Sequence, residues 1–132
     1  MKFRYKKIAP GILRPVIPIE LFYEGKHVRY EALIDSGADI ALMPAELGDI
    51  LGLHVRSGTK GVVGGITGGG LPYYRHPVAI RIGGWAHNVE VGFMPDMPPF
   101  GYGVLGQRGF FDLWKVLFDG RAGEVEIRPY LR

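Results

Sequence analysis

The chain has no cysteine, which removes disulfides, thiolate nucleophiles and thiolate metal sites together. Serine is almost as scarce. Ser36 and Ser57 are the only two, and neither stands in a Gly-x-Ser-x-Gly elbow, so serine and cysteine hydrolysis are both disfavoured. Basic runs are missing as well. The net charge of +3 comes from 16 basic and 13 acidic residues, the basic ones scattered and never clustered beyond Lys6-Lys7, so no nucleic-acid partner is expected. The start, Met1 to Val16, is basic but has no continuous apolar core, and Pro10, Gly11 and Pro15 interrupt it. It reads as neither a secretory signal nor a membrane span, and the expectation is a soluble cytoplasmic protein with no membrane partner. The histidines His27, His54, His76 and His87 show no His-x-x-x-His spacing. Each is expected at the surface or in a turn, with no metal bound. The glycine-rich stretch Gly61 to Gly68 lacks a Gly-Lys-Ser/Thr ending, and Pro72 blocks a following helix. No phosphate cradle and no cofactor are expected.

What remains is globular. The 132 residues, 47% hydrophobic and 22% charged, fit a single domain over 1–132 that buries roughly two thirds of its unfolded surface. With 21 glycines and 10 prolines, the composition favours many short strands over long helices. Phe3 to Ile8 reads as an opening strand. Val16 to Tyr23 follows, with Ile17, Ile19 and Leu21 alternating, then a Glu24-Gly25-Lys26 turn and a return strand from His27 to Ile34. Ile40 to Met43 is another short strand. Pro44 to Leu51 reads as a short helix with proline at its first position, in which Gly48 costs about 1 kcal/mol against alanine, so packing must hold it. Val55 to Tyr74 reads as a long glycine-rich hairpin outside the core. Val78 to Ile82 and Trp85 to Phe93 form a hairpin with a two-glycine turn. Gly103 to Gly106 is a very short buried strand. Gln107 to Trp114 is expected to be helical, with Phe110, Phe111 and Trp114 inward, before a closing hairpin of Lys115–Asp119 and Glu124–Arg128.

Within this frame one stretch carries chemistry. Ala32-Leu33-Ile34 ends abruptly at Asp35-Ser36-Gly37, as a buried strand would that delivers a carboxylate to a tight loop. One reading of Asp35 is a turn-forming acid that accepts local backbone N–H bonds. The other is a general base, which at neutral pH needs something to raise its pKa, and a second carboxylate sharing one proton does so. Asp49, Asp112 and Asp119 lack the same setting. If Asp35 is catalytic, its partner is Asp35 of a second copy, and two-fold symmetry becomes a chemical requirement. The apolar loop Phe93 to Phe100 has two readings too, a core cap or the lining of a side-chain pocket.

Leu33-Ile34-Asp35-Ser36-Gly37-Ala38, the later glycine-rich hairpin and Val104-Leu105-Gly106 together resemble the retropepsin-like aspartic proteases, the cellular prokaryotic members more than the viral ones. The resemblance runs from about Tyr23 to Arg128. It implies an all-β, closed retropepsin-like barrel with one or two short helices, working as a homodimer on peptide or protein substrates. It implies that Asp35 is half of a catalytic dyad and that Ser36 bonds across the dimer axis. Gly37 would allow close approach to the carboxylate, Ala38 would keep the cleft floor small, and Gly106 would pack behind the acid loop. Gly64, Gly65 and Ile66 would lie in a flap closing over the substrate, and Met97, Pro98, Phe100 and Val104 would line a pocket. Asp39 resembles the family acid that holds a cation just after the final glycine. Here Gln107 follows Gly106 and the arginine comes one later, at Arg108, so either the following segment is shifted or that pair does not form. The implied activity is endopeptidase hydrolysis. A catalytically silent dimerisation or peptide-binding module on the same fold is the rival reading.

Overall fold

The computed structural model of the chain describes residues 1–64 and 68–130. Two short strands, β1 (Lys2–Arg4) and β2 (Lys6–Ala9), replace the single opening strand expected over Phe3 to Ile8. The break falls at Tyr5, whose N–H turns to the carbonyl of Gly123 (2.8 Å). β2 pairs with β3 (Ile12–Arg14), and β4 (Val16–Tyr23) and β5 (Lys26–Ile34) follow as a long antiparallel hairpin. Then come β6 (Ala41–Pro44), the helix α1 (Ala45–Ile50), a 3-10 turn at Val55–Ser57, and β7 (Thr59–Val63). The chain continues through β8 (Leu71–Ile82), β9 (Trp85–Met94), β10 (Gly103–Leu105), β11 (Trp114–Asp119) and β12 (Glu124–Pro129).

Six strands close into a barrel in the order β4-β5-β10-β6-β9-β8, with β8 returning to pair with β4 and β7 extending from β8. The alternation of β4 works as its sequence demands: Ile17, Ile19 and Leu21 are all buried while Pro18 and Glu20 between them face out. Each such aliphatic side chain contributes about 1.5–3 kcal/mol through burial. β5 begins exposed and ends in the core, with Ala32 and Ile34 buried, because its last residues lie between β4 and β10. The closing seam is short, Glu20 to Phe22 against Ala79 to Arg81. Side chains reinforce it. The Glu20 carboxylate accepts from Arg81 Nη2 (2.7 Å) and faces His27 Nδ1 (2.8 Å). The Arg81 hydrogen bond, opposed by partial burial and aided by His27, holds the Glu20 carboxyl below its ordinary value.

Three features differ from the sequence expectation. Residues 107–113 form a chain of turns and no helix. Phe111 and Asp112 N–H reach the carbonyls of Gly106 and Gln107, and Trp114 N–H reaches Phe110, a mixed pattern that winds up no regular turn. The aromatic side chains still point inward, with Phe110 and Trp114 buried. Packing decides where the rings go and propensity does not decide the backbone. Pro44 caps α1 in an extended conformation and does not occupy its first turn. His76 is buried on β8, donating from Nε2 to the Val55 carbonyl at 2.7 Å, where a surface or turn position was expected. No helix among the described residues is long and apolar enough to cross a membrane.

Gly48 shows what holds a glycine inside α1. A Cβ there would lie 2.7 Å from Val55 Cγ2 and 3.2 Å from Phe93 Cδ1. Gly48→Ala is expected to lower stability by about 1 kcal/mol or more, because crowding of this kind exceeds the gain in helix propensity. Urea denaturation checks it; a variant more stable than the parent would refute the packing argument.

Candidate active site

The acid loop leaves the barrel at the end of β5. The β5–β10 pair is parallel, with Val104 opposite Leu33 and Leu105 opposite Ile34. The ladder runs one step further as Asp35 N–H donates to the Leu105 carbonyl (3.0 Å), and Ala38 N–H closes the loop onto the Asp35 carbonyl (3.1 Å). Asp35 is half-buried, while Ser36 and Gly37 are exposed at the tip. Gly37 N–H donates to Asp35 Oδ1 at 2.9 Å. A Cβ on Gly37 would stand 3.2 Å from the same oxygen, so the missing side chain keeps the carboxylate's surroundings open.

Beneath this loop runs the segment after β10. Gln107 N–H donates to the Ala38 carbonyl (2.8 Å) and Arg108 N–H to that of Asp39 (2.9 Å). The approach depends on Gly106, where a Cβ would lie 2.5 Å from the Ala38 oxygen and 2.8 Å from that of Ile40. Gly106 therefore packs directly against the backbone of Ala38 and Ile40. Asp39 and Arg108 are joined through the backbone, and no ion pair links their side chains among the described residues. The side-chain bond in this region belongs to Gln107, whose Nε2 donates to the Ser36 carbonyl at 2.7 Å.

The expected pocket residues divide. Met97 and Val104 pack against a second apolar cluster made of Ile40, Leu42 and Met94, with Tyr73 beside them. Pro98 and Phe100 are exposed, Phe100 stacking on Tyr102 with ring centroids 5.7 Å apart. The second cluster lies on the side of the sheet away from the main core. On β6, Ala41 and Met43 enter the main core while Leu42 enters the second cluster, and on β10 Leu105 and Val104 divide in the same way. Ile40, Leu42 and Tyr73 are not among the residues expected from sequence. The signal for Leu42 was available, since it alternates with two core residues.

The long hairpin forms, but it does not lie wholly outside the core as expected, since Val55 and Tyr74 at its ends are buried in the main core. β7 pairs with β8 from Thr59–Arg75 to Val63–Leu71, and Val62, Val63 and Leu71 are exposed. Tyr73 lies across Gly61, where a side chain would collide with its ring, so the root of the hairpin is tied to the second cluster. Gly64 is the last described residue on the outgoing side; Gly65 and Ile66 lie outside the described residues.

Comparison with known proteins agrees with this geometry. A family model described as "Aspartyl protease" matches residues 18–108, which takes in the acid loop, the long hairpin and Gly106. Among solved structures, the chain is similar to "EIAV protease complexed with the inhibitor HBY-793", with 22% identity and a TM-score of 0.50 over 71% of this chain and 82% of that one. That likeness bears on the fold, an all-β barrel of the retropepsin kind. No curated protein matches. The match to well over half of the chain and the barrel with its acid loop meet in one conclusion: this protein belongs to the aspartyl protease family, on a barrel of the retropepsin kind.

Proposed function

We propose that the chain, as one domain over residues 1–132, is an aspartic endopeptidase active as a two-fold homodimer, each subunit supplying one Asp35. The observation that carries this reading is the loop itself. Asp35 stands beside an exposed tip, with its carboxylate held by Gly37 N–H (2.9 Å). This arrangement suits half of a shared site, open for an identical loop to face it.

In the dimer, a water lies between the two carboxylates. The ionised one accepts a proton from the water as its oxygen bonds to the peptide carbonyl carbon. The protonated one gives its proton to the carbonyl oxygen, forming a neutral tetrahedral diol. Proton transfer to the amide nitrogen then lets the C–N bond break, releasing a carboxylic acid and an amine. The shared proton belongs to the pair, so the pH profile reports the dyad and neither residue alone. Ser36 bonds across the axis, and Ala38 leaves room at the cleft floor. The hairpin bearing Gly64, Gly65 and Ile66 closes over an extended substrate through strand-like hydrogen bonds. Met97 and Val104, with Leu42 and Tyr73, present an apolar wall that favours apolar side chains beside the cut bond. Pro98 and Phe100 form the outer rim.

The test is cleavage of a peptide library from acid to neutral pH, with and without a statine-containing inhibitor, alongside sedimentation to measure the dimer. Inhibitor-sensitive cleavage by the dimer is expected. A dimer inactive at every pH would make the chain a silent module, and an active monomer would overturn the shared dyad.

A further inference from the structure

Three bonds tie the segment after β10 to the acid loop, and two of them are backbone bonds that any residue could make. The third depends on one side chain. Gln107 Nε2 donates to the carbonyl of Ser36 at 2.7 Å. That carbonyl shares a peptide plane with the N–H of Gly37, which donates to Asp35 Oδ1 at 2.9 Å. The two bonds therefore run in series: amide of Gln107, peptide unit Ser36–Gly37, carboxylate of Asp35. Because the peptide unit is planar, fixing its oxygen fixes the direction of its N–H. A peptide followed by glycine is the easiest to rotate as a unit, since Gly37 tolerates backbone angles other residues do not. The tip residues Ser36 and Gly37 are exposed, so core packing does not hold this plane.

We propose that Gln107 is a positioning residue for Asp35, acting through the Ser36–Gly37 peptide plane. This rests on the reading of Asp35 as catalytic. The Gln107 bond polarises the peptide as well as orienting it, and hydrogen bonds in series strengthen one another. In the two-fold dimer each Asp35 has its own Gln107, so the bond orients both carboxylates alike. It does so without adding a charge beside the pair, which an arginine at this position would do.

Three variants test it. Gln107→Leu keeps the bulk and removes the donor. kcat is expected to fall roughly tenfold with KM changed less than about twofold, because misorientation of a reacting group acts on the chemical step. Gln107→Glu is closest in shape but, when ionised, has no proton to give, and should lose at least as much. Gln107→Arg restores a donor and should recover kcat above the Leu variant.

Hydrogen exchange at the Gly37 amide supplies a readout independent of activity, and should quicken in Gln107→Leu while amides of β5 do not change. Asp35→Asn on the same substrate separates the two levels of the argument. If the parent protein cleaves nothing, the catalytic reading fails and exchange at Gly37 alone decides whether Gln107 holds the plane. Parent-like kcat and Gly37 exchange in Gln107→Leu would overturn the proposal, as would equal activity in the Leu and Arg variants.

Discussion

Asp35→Asn is expected to reduce peptide cleavage by at least roughly a thousandfold, the scale of a lost general base, with fold and dimer intact. Asparagine has nearly the volume of aspartate and can still take the Gly37 N–H bond at its side-chain oxygen. What it cannot do is hold or share a proton, so the loss belongs to the chemistry and not to the scaffold. Mixing makes the test sharper. If each site takes one Asp35 from each subunit, re-equilibrated equal amounts of parent and variant should retain about a quarter of the parent activity, because only parent–parent dimers carry two acids. A site complete within one subunit would retain about half. Activity measured against mixing ratio therefore distinguishes a squared dependence from a linear one, and a linear result would sink the shared dyad.

Gly106→Ala should be a severely damaging single-methyl change. The added Cβ would meet two backbone oxygens, those of Ala38 and Ile40, at 2.5 Å and 2.8 Å. A clash with a flexible side-chain end can be relieved by rotation, but these carbonyls belong to the acid loop and to the start of β6, and moving either displaces the other. The expected cost is about 3 kcal/mol, the upper end for overpacking. Activity should fall even where the variant remains folded. The backbone bonds from Gln107 to Ala38 and from Arg108 to Asp39 cannot keep their lengths once the segments part. Chemical denaturation and cleavage assays together check it. A variant with parent-like stability would show that the loop yields more easily than its contacts imply.

Much of this architecture was legible because burial writes a period into the sequence. The alternation of Ile17, Ile19 and Leu21 marked β4 to its ends, and the change from alternating to fully apolar along β5 marked the strand that enters the barrel. The acid loop was legible for a different reason: an acid, a hydroxyl and a glycine in fixed order leave few backbone solutions, whereas the place of Gly106 was legible only through the family resemblance. The stretch 107–113 misled because inward aromatic side chains at helical spacing also suit a string of turns, in which the Asp112 carboxylate accepts from Gly109 N–H (2.9 Å). The Gln107 bond was invisible in sequence. A lone glutamine has no pattern, and its acceptor, the Ser36 carbonyl, is a backbone group that every residue possesses. Leu42 and Tyr73 were hidden by the opposite effect, since an apolar residue on a strand reads as core whichever face it takes.

The parallel pairing of β10 with β5 has a consequence for the order of folding. Asp35 and its loop lie in the first third of the chain, but the groups that hold them, Leu105 to Arg108, come some seventy residues later. Contacts so distant in sequence carry a high entropic cost of closure and form late. During synthesis the carboxylate is made early and stays without its scaffold until the final third of the chain arrives. The acid loop therefore cannot assemble until the chain has been made at least as far as Arg108, so on the proposed reading of Asp35 a shorter nascent chain holds no organised site.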